Sequence, residues 1–256
     1  MAASMHAILH RLVSHAEIIT ALGLVLAASW AFVAWMTLDM SHPVVRMMMP
    51  IDASWSWSTV GAVLLMWGGM MLAMMLPSFA PMILSFDAIQ RRDAQSVELS
   101  PRSLLFAGAY VLLWTAFSVL ATGAQWGLQW SGLLTPMIAS RSDWLTAALL
   151  ILAGVYQLTP LKHACLNYCR SPTSFLMAEW RDGARGAWHM GLKHGLYCVG
   201  CCWALMLLLF VAGAMNPVWI VLLTIVVALE KWPITPIWSS NVSGGLLMIA
   251  GVSNLL

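Results

Sequence analysis

The segment His194–Met206 reads His-Gly-Leu-Tyr-Cys-Val-Gly-Cys-Cys-Trp-Ala-Leu-Met and opens a long apolar run. A run of this kind is typical of a membrane-spanning helix. Three of the five cysteines of the chain fall in this segment. Residues three and four apart share one face of a helix. We therefore predict that Cys198, Cys201 and Cys202 lie together, with His194 one turn before them.

The composition of the whole chain indicates an integral membrane protein. Of its 256 residues, 61% are hydrophobic and only 9% are charged, whereas soluble domains carry about 25% charged residues. The net charge of +2 is too small to indicate binding to nucleic acid. The polar start, Met1–Glu17, has no small-residue cleavage site after it, so the first apolar run is expected to be a retained span.

Recurring apolar runs predict an all-α fold: a polytopic transmembrane helical bundle of six or seven spans, in one integral membrane domain over residues 1–256. The seventh span is the doubtful one, because Ser239, Ser240 and Asn241 make its first half polar. The predicted spans are about 18–36, 59–86, 103–123, 144–158, 195–214, 217–229 and 237–256.

The positive charges predict the orientation of the chain. All but two of the 12 Lys and Arg residues lie before the first predicted span, in the loops after the second and fourth, or after the sixth. Cytoplasmic loops are rich in Lys and Arg, so we predict a multi-pass protein of the bacterial inner membrane with a cytoplasmic N-terminus. The polar segment Leu161–Lys193 is then either an amphipathic piece on the membrane surface or a solvated loop.

The five cysteines form two tight clusters, the pair Cys165 and Cys169 and the group that begins at Cys198. Both clusters are predicted on the cytoplasmic side, where reducing conditions disfavour a structural disulfide. Metal thiolates, a redox-active pair and buried apolar cysteines all remain open. Soft sulfur ligands suit copper(I), with zinc as the alternative. His163 and His194 each flank a cluster and are candidate auxiliary ligands.

The second predicted span carries a run of methionines before Pro77. At helical spacing they form two adjacent stripes, made of Met66, Met70 and Met74 and of Met71 and Met75. Thioether sulfur binds copper(I), although a methionine stripe is also a common way to fill a core. We predict that Met70, Met74 and Met75 line the approach to a metal and that Pro77 breaks the helix.

Topology places the methionines, the cysteines and Glu230 in the same half of the membrane. Glu230 ends an apolar run and precedes Lys231, so it is either an interface marker or part of an ion pair, or else a functional group inside the bundle. On the opposite side, Asp39, His42 and Met47–Met49 either collect copper or pack on the membrane surface.

Several motifs together carry a family resemblance. They are Trp67-x-x-Met70-x-x-Ala73-Met74-Met75-Leu76-Pro77-Ser78-x-x-Pro81, Tyr156-Gln157-x-x-Pro160-Leu161-Lys162-x-x-Cys165-Leu166-x-x-Cys169-Arg170-x-Pro172, Gly191-x-x-x-Gly195-x-x-Cys198-x-Gly200-Cys201-Cys202-Trp203-x-Leu205-Met206 and Glu230-Lys231. This set resembles a bacterial family of predicted metal-binding integral membrane proteins of unknown function. The resemblance implies a polytopic membrane protein with a metal site, but no reaction.

These observations favour a membrane protein that binds copper(I) for homeostasis or for delivery to a membrane cuproenzyme. Cys198, Cys201 and Cys202 are the expected primary ligands, with Cys165 and Cys169 closing the site or receiving metal. The expected partners are the lipid bilayer and other membrane subunits or a copper chaperone. The alternatives are a membrane thiol-disulfide oxidoreductase, which would be an enzyme, and a non-catalytic subunit of a larger complex. The chain has no Walker A motif, which excludes an ATP-driven pump in this chain alone.

Overall fold

The computed structural model describes residues 2–52, 54–94, 100–234 and 238–255, with the backbone alone at residues 2–15 and 91–94. This part of the chain is helical and contains no β-strand, only an isolated antiparallel bridge between Leu134 and Ser140. The helices are α1 (Ala2–Leu38), α2 (Pro43–Met48), α3 (Trp57–Ala94), α4 (Pro101–Trp130), α5 (Asp143–Gln157), α6 (Pro160–Arg170), α7 (Pro172–Glu179), α8 (Gly183–Leu207), α9 (Leu209–Ala212), α10 (Pro217–Lys231) and α11 (Trp238–Ser253).

The all-α prediction is confirmed, but the predicted number of spans is not. Among the described residues, four helical stretches are long and apolar enough to cross a membrane: Ala16–Leu38, Trp57–Gln90, Pro101–Trp130 and Gly183–Ala212. A fifth results if α5 and α6, which are bent by 66° at their junction, count as one span. The predicted sixth and seventh spans correspond to α10 and α11, which have 15 and 16 residues. Both are shorter than the roughly 20 residues of a typical spanning helix.

The helix break expected at Pro77 does not occur, since α3 runs continuously through Pro77 and Pro81. Proline removes one backbone donor, and such a loss is tolerated in a helix packed inside a bundle. The hydroxyl of Ser78 donates to the carbonyl of Met75 at 2.9 Å and so satisfies one acceptor near the prolines.

The polar segment predicted to be a loop or a surface piece is mostly helical and lies against the protein. It forms α6, α7 and the first part of α8. Phe175 and Leu176 are both buried in the core, and the ring of Phe175 lies 5.3 Å from that of His194. Phe175 and Leu176 therefore cover the bundle.

The sequence Thr159-Pro160 fixes the bend that brings α6 over the bundle. Thr159 caps α6 by accepting a hydrogen bond from the backbone N–H of Lys162 at 3.3 Å, and Pro160 occupies a first-turn position, where no backbone donor is needed. As a result α6 packs against α8. Helix α8 also packs against α4, and α10 contacts α3, α6 and α8. The cysteines of α6 and α8 thus face the same interior as the methionines of α3.

Candidate metal centre

The three cysteines of α8 lie on one face of the helix and contact two neighbouring helices. Cys198, Cys201 and Cys202 are all buried. The thiols of Cys201 and Cys202 both donate to the carbonyl of Cys198, at 3.1 and 2.9 Å. The sulfur of Cys202 then lies 3.8 Å from the thioether of Met75 on α3, whereas that of Cys201 lies 3.8 Å from Cys169 on α6. The helical face predicted from the spacing therefore serves two sulfur contacts.

A lysine joins the first of these contacts. The ammonium of Lys231 lies 3.0 Å from the sulfur of Cys198 and 3.9 Å from that of Met75. It also donates to the hydroxyl of Ser78 at 3.1 Å. We call Cys198, Cys202 and Met75 the core sulfur cluster. Lys231 is 7% exposed and contacts two members of this cluster, Cys198 and Met75.

Lys231 and Tyr110 are site residues that the sequence reasoning missed. Tyr110 is buried on α4, and its hydroxyl lies 3.2 Å from the sulfur of Cys198. In the sequence, Lys231 is a positive charge after the sixth predicted span and part of the Glu230-Lys231 motif, and neither feature predicts a contact with sulfur. The position of Lys231 directly after an apolar run could have indicated that it is buried, because the end of such a helix can still lie within the bundle. Nothing in the sequence connects Tyr110 to a cysteine 88 positions away.

The second contact leads towards the surface. Cys169 and Cys201, which we call the bridging thiol pair, connect α6 to α8. Cys165 lies one turn before Cys169, as its spacing predicted, and it is half-buried while the other four cysteines are buried. A Cβ atom built on Gly200 would lie 2.9 Å from the sulfur of Cys165. Cys165 therefore lies directly against the backbone of α8, beside the bridging thiol pair.

Glu230 is buried and forms an ion pair. Its carboxylate forms an ion pair with Lys162 at 2.6 Å and accepts from the amide of Gln157 at 2.6 Å. Gln157 accepts in turn from Lys162, and Ser243 donates to the carboxylate of Glu230 at 3.4 Å. Arg170 donates to the backbone carbonyl of Glu230 at 2.6 Å. This network ties α5, α6, α10 and α11 together.

The remaining predicted ligands have no sulfur partner among the contacts of the described residues. His194 lies in a box of aromatic rings at centroid distances of 5.3 to 6.3 Å, and its Nδ1 has no hydrogen-bond partner. The Nε2 of His163 on α6 is likewise buried without a partner. Met70 and Met74 are core residues of α3. The structure thus singles out Met75 from the three predicted methionines.

The predicted collection site on the opposite side is better explained by packing. The Nδ1 of His42 accepts from the backbone N–H of Val44 at 3.2 Å and caps α2. Its ring packs against Trp35 at 5.1 Å. Met48 is fully buried. His42 and Met48 are therefore already engaged by the fold.

Within the described residues, no three His, Cys, Asp or Glu side chains gather around one position that could hold a metal ion. Cys202 contacts Met75 on α3, whereas Cys201 contacts Cys169 on α6. The core sulfur cluster nevertheless offers two thiols and a thioether, and this is a soft donor set that suits copper(I). Structural zinc prefers four nitrogen, sulfur or oxygen ligands, so the zinc alternative is not supported.

One comparison with known proteins identifies a family. The sequence profile described as "PpoB2: Copper chaperone" matches residues 64–254. This range includes every residue of the core sulfur cluster, the bridging thiol pair, Lys231 and the Glu230 network. Comparison with curated proteins and with solved structures gave no match.

Proposed function

The chain belongs to the PpoB2 copper chaperone family, and on this premise we propose that it is a membrane-embedded protein that binds copper(I) and delivers it to a membrane cuproenzyme. The observation that carries the proposal is the contact of 3.8 Å between the sulfurs of Cys202 and Met75. A thiol and a thioether meet there in a dry interior, one turn from a second thiol. This donor chemistry favours copper(I) over harder cations.

In this proposal the core sulfur cluster holds the cargo ion. Cys198 and Cys202 supply thiolates and Met75 supplies a thioether. His194, one turn before Cys198, is an auxiliary ligand, since its buried Nδ1 has no other partner. Cys201 belongs to the route to the cluster, because its sulfur contacts Cys169 and not Met75.

Copper reaches the cluster by exchange from sulfur to sulfur. Cys165 is the half-exposed thiol of α6 and receives the ion from solvent or from a donor protein. Cys169 and Cys201 pass it inward, since their sulfurs lie 3.8 Å apart. Each transfer replaces one soft ligand by another, and no step leaves the ion without sulfur.

We place the protein in the bacterial inner membrane with a cytoplasmic N-terminus. The charge distribution of the sequence supports this orientation, and four helices of suitable length and polarity support the membrane. Under this topology Cys165 and the sulfur cluster lie in the cytoplasmic half. Helices α10 and α11 complete a bundle of six or seven crossings or partial crossings, and the receiving cuproenzyme contacts this bundle within the bilayer.

The test is copper content in purified protein. Wild-type protein isolated anaerobically from copper-fed cells is expected to hold about one copper(I) per chain, and the variant C198S/C202S none. Met75→Leu is expected to weaken binding, with Met66→Leu as the matched control, because Met66 is equally buried on the same helix. Metal-free wild-type protein, or full copper content in C198S/C202S, would contradict the proposal.

A second candidate function rests on the bridging thiol pair. The sulfurs of Cys169 and Cys201 lie 3.8 Å apart on neighbouring helices, and a small helix shift would bring them to the disulfide length of about 2.05 Å. A membrane thiol-disulfide oxidoreductase would therefore use these two residues. It predicts that their alkylation depends on the redox state of the membrane and that no copper copurifies.

A further inference from the structure

Lys231 places a positive charge inside the core sulfur cluster. Its ammonium contacts Cys198, Met75 and Ser78 at 3.0, 3.9 and 3.1 Å. It is 7% exposed, so water screens it little. A buried lysine is rare unless an opposite charge balances it.

The balancing charge does not come from a carboxylate. Among the residues that the structure describes, no Asp or Glu lies within ion-pair distance of Lys231. The neighbouring residue, Glu230, is already paired with Lys162 at 2.6 Å. The shortest contact of the ammonium of Lys231 is with the sulfur of Cys198, at 3.0 Å, and this sulfur balances the charge of Lys231 when it serves as a thiolate ligand.

We propose that Lys231 determines which metal the cluster accepts, by admitting a monovalent ion and rejecting a divalent one. This inference rests on the proposed function, because it concerns the specificity of the same site. Lys231 has no lone pair for the metal while it is charged, so it acts as a fixed positive charge and not as a ligand.

The argument is a count of charges in a low-dielectric interior. Two thiolates, Cys198 and Cys202, contribute two negative charges, and Lys231 contributes one positive charge. A copper(I) ion brings the total to zero. A zinc(II) ion leaves one uncompensated positive charge, which is costly to bury.

Cys169 and Cys201 also lie near Cys198 and Lys231; in this proposal both remain protonated thiols while the metal is bound, so they add no charge to the count. Tyr110 and Ser78 are neutral donors or acceptors at Cys198 and Lys231. The ion pair of Glu230 with Lys162 is neutral as a unit. The thioether of Met75 is a softer ligand than zinc(II) usually takes, and the fixed charge adds a second, independent selection.

A lysine that only stabilises the fold would behave differently. Its removal would change the melting temperature of the protein but would leave the preference between metals as it was. The ratio of metals bound therefore separates a role in specificity from a role in packing.

The experiment compares metal-free wild type, Lys231→Met, Lys231→Gln and Lys231→Arg, in detergent and under reducing, anaerobic conditions. Each protein is equilibrated with chelator-buffered copper(I) and zinc(II) together, and the bound metals are measured by elemental analysis. Lys193→Met is the matched control, because its ammonium pairs with Glu179 at 2.6 Å on the surface, with 32% of its side chain exposed. Circular dichroism confirms that each variant is folded.

Lys231→Met and Lys231→Gln are expected to raise the ratio of zinc to copper bound by at least about tenfold. Lys231→Arg and Lys193→Met are expected to keep the wild-type ratio. An unchanged ratio in whichever neutral variant folds would overturn the role of Lys231 while leaving copper binding intact. Wild-type protein that binds no copper(I) would overturn the proposed function, and the inference with it.

Discussion

Glu230 and Lys231 are neighbours at the end of α10, yet they belong to two buried charge centres of different composition. In the first centre, Glu230 pairs with Lys162 at 2.6 Å and accepts from Gln157 at 2.6 Å. In the second, Lys231 faces the sulfur of Cys198 at 3.0 Å. The first contains only nitrogen and oxygen, and the second is built around sulfur.

The difference separates a structural centre from a functional one. The carboxylate of Glu230 is satisfied by several donors, so the centre has no remaining capacity for a ligand. The sulfur of Cys198 is balanced by a single ammonium and shares its cluster with a thiol and a thioether. A soft cation can join the second centre, because its ligands are soft and its charges are balanced by one lysine.

Breaking the first centre is expected to give the largest loss of stability. Glu230→Gln leaves the ammonium of Lys162 buried without its counter-ion. Removal of one partner from a buried ion pair typically costs about 3–5 kcal/mol. Thermal or denaturant unfolding in detergent measures this loss, and copper bound per folded molecule should stay at the wild-type level.

The double variant K162M/E230Q supplies the control for that prediction. With both charges removed, no unpaired ion remains, so this variant should be more stable than Glu230→Gln alone. A double variant as unstable as the single one would show that Lys162 and Glu230 stabilise the fold mainly through contacts other than their ion pair.

Breaking the second centre is expected to cost less. In metal-free protein, Cys198→Ala removes the sulfur that balances Lys231, and the loss should be about 1–3 kcal/mol. Cys202→Ala is the matched control, because it removes a thiol one turn away that contacts Met75 and not the lysine. Unfolding experiments on both variants make the comparison.

Adding Lys231→Met to Cys198→Ala should recover part of the stability, since the unbalanced charge is then gone. Equal losses in Cys198→Ala and Cys202→Ala, with no recovery in the double variant, would mean that the sulfur of Cys198 does not balance Lys231.

The fold was predictable from the sequence as far as it depends on hydrophobicity. Apolar runs identified the helices around 18–36, 59–86 and 103–123, and these lie within α1, α3 and α4. The number of crossings was not predictable in the same way. Helices α10 and α11 are apolar yet have only 15 and 16 residues, and where a short helix lies depends on its neighbours.

The sequence predicted which site residues lie together on one helix, but it did not predict their partners on other helices. Helical spacing placed Cys198 and Cys202 on one face, and the methionine stripes included Met75, whose thioether lies 3.8 Å from the sulfur of Cys202. The partners Tyr110 and Lys231 come from other helices, and only tertiary packing brings them to the cysteines. Periodicity carries no information about such contacts.

The difference in burial among the five cysteines also predicts their reactivity. Cys165 is half-buried, whereas the other cysteines are buried, and thiol modification requires access. A maleimide reagent should label Cys165 at least about tenfold faster than the remaining four, as measured by mass spectrometry of peptides. The variant C165S should therefore lose the fast phase of labelling. A fast phase that persists in C165S would place the accessible thiol elsewhere.

The smallest effect on stability is expected at Gly200, where α6 meets α8. In Gly200→Ala the new Cβ would lie 2.9 Å from the sulfur of Cys165, so that side chain must move. The crowding is offset by the better helix propensity of alanine, by about 1 kcal/mol, and stability should change little. Gly123→Ala on α4 is the matched control, because a Cβ there has no neighbour within 4 Å.

If Cys165 receives the copper, Gly200→Ala should slow copper loading while the final content stays at the wild-type value, because the core sulfur cluster is untouched. A slowing on the order of tenfold corresponds to about 1.4 kcal/mol in the barrier for uptake. Stopped-flow mixing of metal-free protein with chelator-buffered copper(I) measures the rate of copper loading. Equal rates in Gly200→Ala, Gly123→Ala and wild type would mean that copper reaches the sulfur cluster by a path that avoids Cys165.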